Sequence, residues 1–520
     1  MLNTTKTFKQ RRIRAHIISV HWEHKGEHNM ALPENRTCCV EEHGYDRILN
    51  MKKSLHFVST WLKTVFEEPK HGNQAGTITA LDGVRACAIL FVIAFHIDWT
   101  NTNYEKLWNW QSNPLATSVA IAGGTGVTLF FVLSGFLLFL PYAKALLFAR
   151  RWPLARSFYI RRALRIMPGY YLSLVLLIFL SAPQYLQPDN LPNLGLFLTF
   201  LMDSAKETFR GPIDGPYWTL AIEWQFYMIL PLLTLGILLL VRRVRLERRL
   251  RAVTLCLFGI IAGGLLVRFW GLYFLNNPSA TFLVPRPVTN VLLFFTFGQT
   301  GKYTEDFSVG MLGALIYVYA QSLPPEHVFV QTLRKLSLWL WGTGLLILTF
   351  SAIWHLQANP PTPAWPFLNP LMPYFSWLSE ILLAAGYGMC IIAILFGPRE
   401  LQRPFTWAPL RWIGLISYSL YIWHLPLIVL FQTRVLPLLP AMNFYLSYAL
   451  YWVWAACVIV PFCVLCYAFV ERPGMRLGDC WRKAIESRYQ ARHQAKELIV
   501  TDQKEAVAVP ALAKDEALRT

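Results

Sequence analysis

Two ionisable side chains lie deep in one apolar run. Residues 81–98 read LDGVRACAILFVIAFHID, and they contain Arg85 and His96. In a helix that advances about 100° and 1.5 Å per residue, a spacing of eleven puts both side chains on one face. The rise between them is about 16 Å, half of a bilayer core. A guanidinium clamps anions through charge-assisted hydrogen bonds, and an imidazole moves protons. Ionisable groups inside a membrane span are costly and by default mark function. The plain alternative is an arginine snorkelling to one surface and a histidine satisfied by a neighbouring carbonyl.

More residues of this kind recur along the chain. The segment FYIRRALRIMPGYY carries Arg161, Arg162 and Arg165 just before an apolar run. Arg161 and Arg165 are four apart and would share a helix face. Such a patch suits phosphate, but ordinary anchoring or anionic-lipid contact also explains it. The equally basic RRVRLERRLR of residues 242–251 has no other feature and is assigned anchoring alone. Glu223 lies about two turns into PYWTLAIEWQFYMILPLL, near the expected depth of His96. A glutamate there needs a partner or a proton. A His–carboxylate pair and a structural bond to Trp or Tyr are both open. His424, in WIGLISYSLYIWHLPLI, reads as a packed core residue, with Ser417 and Tyr418 nearer the cytoplasmic end. Glu471, in FVERPGMRL, reads as a clamp for a loop arginine. The nine cysteines show no metal spacing, so no metal site is expected.

The elements that must position these groups are membrane helices. The 520 residues are 55% hydrophobic and only 15% charged, and apolar runs of about 18 or more residues recur. This predicts an all-α, polytopic membrane bundle of about ten transmembrane helices. The spans are expected near 79–98, 119–142, 167–182, 217–241, 252–275, 307–320, 337–355, 376–397, 413–432 and 446–470. A net charge of +18 suggests nucleic acid, but 40 of the 48 Lys and Arg residues fall before, after or in alternate loops between these spans. That is the positive-inside pattern, and it predicts both termini in the cytoplasm and no nucleic-acid partner. Three regions follow. Residues 1–78 are a cytoplasmic extension with an interfacial amphipathic helix, marked by Leu55, Val58, Leu62 and Val65 beside Lys52, Lys53 and Lys63. Met51 reads as a second possible start. Residues 79–475 form the integral-membrane domain, and residues 476–520 form a charged cytoplasmic tail.

With these residues in view, the chain resembles the integral-membrane acyltransferase family 3, of the O-acetyltransferase type. The matching blocks are LDGVRACAILFVIAFH, GVTLFFVLSGFLL, FYIRRALRIMPGYY, WTLAIEWQFYMILP, ISYSLYIWHLPL and ERP, in family order. The family's Arg–ten residues–His signature falls on Arg85 and His96, and its Arg-x-x-Arg falls on Arg162 and Arg165. Relatives often carry two adjacent acidic residues where this chain has Glu223 and Trp224. Many also add a C-terminal esterase-like domain with one more span, and neither is expected here.

The resemblance implies an acyl-CoA donor, acetyl-CoA foremost, and a hydroxyl acceptor on a cell-envelope carbohydrate or glycolipid. It implies a multi-pass protein of the inner (plasma) membrane, in contact with membrane lipids and with no permanently bound cofactor. Arg85, Arg162 and Arg165 would hold the donor's phosphates. The thin pantetheine arm would then run up the bundle to His96. The imidazole would serve as general base or be transiently acylated, and both remain open. Glu223 would orient His96 or hold the acceptor. Ser134 and Gly135 would allow close approach near the donor channel, or serve only as small residues at a helix contact. A different class of function, a transporter or flippase of a lipid-linked sugar, would also place charges within spans. It does not account for an arginine cluster at one mouth combined with a single deep histidine.

Overall fold

The computed structural model describes residues 78–100, 122–358, 365–440 and 444–489, apart from positions 212, 214 and 282, together with 442 and 491. The expected extension and interfacial helix before residue 78, and the tail beyond 491, lie outside the described residues. The architecture is all-helical, with no β-strand among the described residues. In chain order the helices are α1 Thr79–Thr100, α2 Gly126–Phe148, α3 Ala155–Ser181 and the short α4 Leu191–Leu198. Then come α5 Tyr217–Val241, α6 Leu246–Asn276, α7 Arg286–Thr296 and α8 Thr304–Gln321. They are followed by α9 Val328–Ala358, α10 Met372–Phe396, α11 Arg399–Thr406 and α12 Ala408–Leu415. Helix α13 covers Ser417–Leu430, and α14 is one long run, Leu446–Tyr489.

The long segments are helical because they are apolar on nearly every side. In lipid, a helix satisfies its own backbone hydrogen bonds. Prolines at 141, 168, 231 and 426 sit inside α2, α3, α5 and α13, where neighbouring helices tolerate them. Two glycine contacts set the packing. A side chain at Gly135 would collide with the Phe307 backbone carbonyl, and one at Gly310 with that of Val132. So α2 and α8 touch backbone to backbone, as small residues permit in membranes. Likewise, α1 and α12 meet at Gly414, which abuts the Asp82 carbonyl, and Arg411 Nη2 lies 3.6 Å from Asp82 Oδ2.

Two expected boundaries move. The third span begins at Ala155 rather than near 167, so Arg161, Arg162 and Arg165 lie within α3 and not in a loop before it. The last span continues without a break to Tyr489, so the start of the expected tail is helix. Nine helices among the described residues are long and apolar enough to cross a membrane. The sixth expected span, now α8, is not one of them, because it opens with Glu305 and Asp306. Its two ends contact different parts of the bundle. Just before it, Gln299 donates its backbone N–H to Asp203, in the connection between α3 and α5. Near its far end, Ala320 packs with Val330, Ile392 and Phe396. Its carboxylates are covered by protein, with Glu305 2% exposed and Asp306 0%.

Candidate active site

Five helices enclose a cavity of about 230 Å³. Arg85 of α1 and Arg162 and Arg165 of α3 line it together, and Glu223 and Tyr227 of α5 face them. Ser134 of α2 and Ser417, Tyr418 and Tyr421 of α13 complete the polar lining. The three guanidiniums face a single carboxylate among these residues, so the lining is net positive and suited to an anion. Arg162 Nε is buried with no hydrogen-bond partner among the described residues. Its guanidinium lies 5.9 Å from the centre of the Tyr227 ring.

The arginine spacing resolves differently from the i,i+4 expectation. Arg162 and Arg165, three apart, face the cavity, while Arg161 looks toward Asp479, Arg482 and Glu486 of α14. On the far side of Arg165, Glu471 is 1% exposed and accepts a 3.0 Å hydrogen bond from Ser419 Oγ. Glu471 closes a π-type turn, Tyr467–Glu471. Such turns re-aim side chains within a helix and are frequent at functional sites. The carboxylate acts electrostatically on Arg165, which the structure places within α3 rather than in a loop.

Glu223 has two donors. Ser134 Oγ and the Tyr227 hydroxyl each donate to Oε1 at 2.5 Å. Tyr227 is one turn along α5, within i,i+4 reach. Of the two partners left open by the sequence, the tyrosine bond is the one present. Glu223 is not bonded to His96. Ser134 and Gly135 separate in role: Ser134 lines the cavity, whereas Gly135 faces α8 and serves the helix contact.

His96 stands beyond the cavity. Tyr421 closes the cavity's end, with its hydroxyl against Thr219 Oγ1 and 3.3 Å from the Pro216 carbonyl. Behind Tyr421 lies His424, with ring centres 5.8 Å apart. His424 Nε2 is 3.2 Å from His96 Nδ1, and the rings meet edge-on. His96 Nδ1 also lies 2.8 Å from the Val92 carbonyl. His424 is 0% exposed, and its Nδ1 lies 2.8 Å from the Tyr421 carbonyl and 3.0 Å from that of Leu420. The histidine read as core packing is therefore the direct partner of the one read as functional.

A second polar network holds the same end of the bundle. Asp203 is ion-paired to Lys302 and accepts a 2.8 Å hydrogen bond from Gln225 Nε2. Burial pushes the Lys302 ammonium down, and Asp203 works against that shift. Arg268 of α6 donates to Glu305 at 2.5 Å and to the Thr300 carbonyl at 3.0 Å. Asp306 is fully buried, with no hydrogen-bond partner for either carboxyl oxygen among the described residues.

Sequence reasoning passed over Tyr227, Tyr421 and His424 as site residues. A signal for them was present. Ser417, Tyr418, Tyr421 and His424 follow helical spacing and form a polar stripe along an otherwise apolar α13. His424 alone reads as core packing because its counterpart on α1 lies more than 300 residues away in the chain.

The fold and the cavity define a multi-helix membrane protein with an anion-suited chamber and a histidine pair inside the bundle. The family model described as an acyltransferase domain matches residues 78–469, and the chain belongs to that family. The peptidoglycan O-acetyltransferase OatA of Listeria monocytogenes is 28% identical over 375 residues, covering 68% of this chain and 50% of that protein. The putative peptidoglycan O-acetyltransferase YrhL of Bacillus subtilis is 26% identical over 370 residues, covering 68% and 49%. A putative O-acetyltransferase of Staphylococcus aureus strain COL, SACOL0978, is 23% identical over 440 residues, covering 77% and 58%. The chain thus spans about half the length of the first two of these relatives. No solved structure matches it.

Proposed function

We propose that the protein is a multi-pass O-acyltransferase of the plasma membrane. It moves an acetyl group from cytoplasmic acetyl-CoA to a hydroxyl of a cell-envelope carbohydrate or glycolipid. The observation that carries this is the cavity shared by Arg85, Arg162 and Arg165, whose lining residue Tyr421 also packs against His424, the partner of His96. A nucleotide donor offers several phosphates, and charge-assisted bonds from three guanidiniums suit them. The positive-inside charge pattern supports an orientation with the arginine end toward the cytoplasm, where acyl-CoA is found. The names of two relatives make peptidoglycan the first acceptor to try.

The residues divide the work by position. Arg85, Arg162 and Arg165 bind the donor's phosphates. Ser134 and Tyr227 hold Glu223 at the cavity wall, where its second oxygen can orient the donor arm or the acceptor. Tyr421 lies between the chamber and the histidines, so its side chain must turn aside for a thioester to reach His96. There the imidazole takes the proton of the acceptor hydroxyl as that oxygen attacks the thioester carbonyl. The C–O bond forms, the C–S bond breaks, and the proton passes to the departing thiolate. A positioned base of this kind contributes about 10²–10⁴-fold.

The test incubates the purified protein in lipid nanodiscs with radiolabelled acetyl-CoA and solubilised peptidoglycan glycan strands. Label on the glycan, lost in His96→Ala, supports the reading. A protein that moves lipid-linked sugars and leaves no label on any acceptor would overturn it.

A further inference from the structure

We propose that His424 is the positioning residue for His96. It accepts a hydrogen bond from His96 Nδ1–H and so leaves His96 Nε2 as the bare nitrogen that meets the acceptor. The inference rests on the reading of His96 as the base and goes beyond it by naming the group that sets its tautomer.

The argument follows from which atoms can donate. A carbonyl oxygen only accepts. His424 Nδ1 sits 2.8 Å from the Tyr421 carbonyl and 3.0 Å from the Leu420 carbonyl, so it carries the proton. In the neutral ring, Nε2 is then an acceptor. That Nε2 is 3.2 Å from His96 Nδ1, which in turn is 2.8 Å from the Val92 carbonyl. Both neighbours of His96 Nδ1 are acceptors, so His96 Nδ1 also carries its proton. Its Nε2 is left with a free lone pair. A group that bonds one ring nitrogen decides what the other can do.

During the reaction His96 Nε2 gains the hydroxyl proton, and the ring becomes an imidazolium. Its Nδ1–H stays shared between His424 Nε2 and the Val92 carbonyl. His424 thus fills, without a charge, the place that a carboxylate fills in a serine-hydrolase triad. The charged group acting on His96 among the described residues is Arg210, which stands over the Phe209 and Trp218 rings. No described carboxylate is bonded to His96, so the acceptor role falls to His424.

The test compares H424L, H424Q and wild type in nanodiscs, using radiolabelled acetyl-CoA and solubilised peptidoglycan glycan strands. Glutamine can place a carbonyl oxygen near the position of Nε2, whereas leucine fills the space with no acceptor. H424L is expected to lower kcat by about 10- to 100-fold. Its KM for acetyl-CoA should stay within about threefold, since the arginine chamber is untouched. H424Q is expected to recover most of the loss. If H424L turns over like wild type while His96→Ala is dead, the positioning role is wrong and the catalytic reading stands. Equal losses in H424Q and H424L would also sink it, because an acceptor at that position would then make no difference. If His96→Ala keeps full activity, the catalytic reading itself fails. Should H424L not fold, H424M takes its place under the same criteria.

Discussion

Arg85 and His96, three turns apart on α1, face the same partner helix. Arg85 shares its cavity with Ser417, Tyr418 and Tyr421 of α13, and His96 meets His424 of that helix. One helix pair therefore carries both the anion-binding end and the proton-accepting end of the proposed reaction. Tyr421 lies between them.

Replacing Arg162 and Arg165 together by alanine should raise the KM for acetyl-CoA and alter kcat little. Each charge-assisted hydrogen bond contributes about 1.5–3 kcal/mol, so a tenfold or greater rise is expected. Initial rates against donor concentration check it. Arg161→Ala serves as the control, because Arg161 faces α14, and its KM should stay at the wild-type value.

Tyr421→Trp should slow turnover without weakening the donor's initial binding. A larger, stiffer ring at the end of the chamber hinders passage to His96, while the arginines are unchanged. The expected signature is a lower kcat with donor affinity preserved, read by nanodisc kinetics and by equilibrium binding of a non-transferable CoA thioether.

Tyr227→Phe removes one of two donors to Glu223 Oε1 and leaves the bond from Ser134. Loss of a hydrogen bond to a charged group costs about 1.5–3 kcal/mol. Activity should fall by roughly 10- to 100-fold, and combining it with Ser134→Ala should cost more than either change alone. A double-mutant cycle on kcat/KM measures the coupling.

Asp203→Ala should destabilise the protein strongly. Asp203 is 1% exposed and is the ion-pair partner of Lys302. Removing one member of a buried pair strands the other, at a cost of about 3–5 kcal/mol. Thermal melting in detergent checks it. Asp203→Asn should melt nearer to wild type, because it keeps an acceptor for Gln225 and a polar contact for Lys302.

Gly310→Ala should lower the melting temperature and yield less folded protein. The added methyl would meet the Val132 carbonyl, and backbone cannot turn aside as a side chain can. Overpacking of this kind costs about 1–3 kcal/mol. Gly259→Ala is the control, since nothing lies near that position.

Residue order alone was enough to read the helical membrane class, most span positions, and the candidacy of Arg85, His96, Arg162, Arg165 and Glu223. Those features are local. Apolar runs, charge alternation and helical spacing all operate within one segment. Where an interaction stayed within a turn, as from Glu223 to Tyr227, the sequence contained it as well.

Everything that depends on a second helix needed the tertiary structure. Arg162 and Arg165 were legible as anion-binding candidates, but that they share one cavity with Arg85 while Arg161 lies toward α14 depends on how α3 packs. Helix α8 carries charges that spoil its apolar signal, and only the packing shows that Arg268 of α6 pairs with its buried Glu305. His424 meets His96 only because α13 lies against α1, across 328 positions of chain. The physical reason is the same in each case. Periodicity says which side of a helix a residue is on, whereas the neighbour on that side is decided by packing among distant segments.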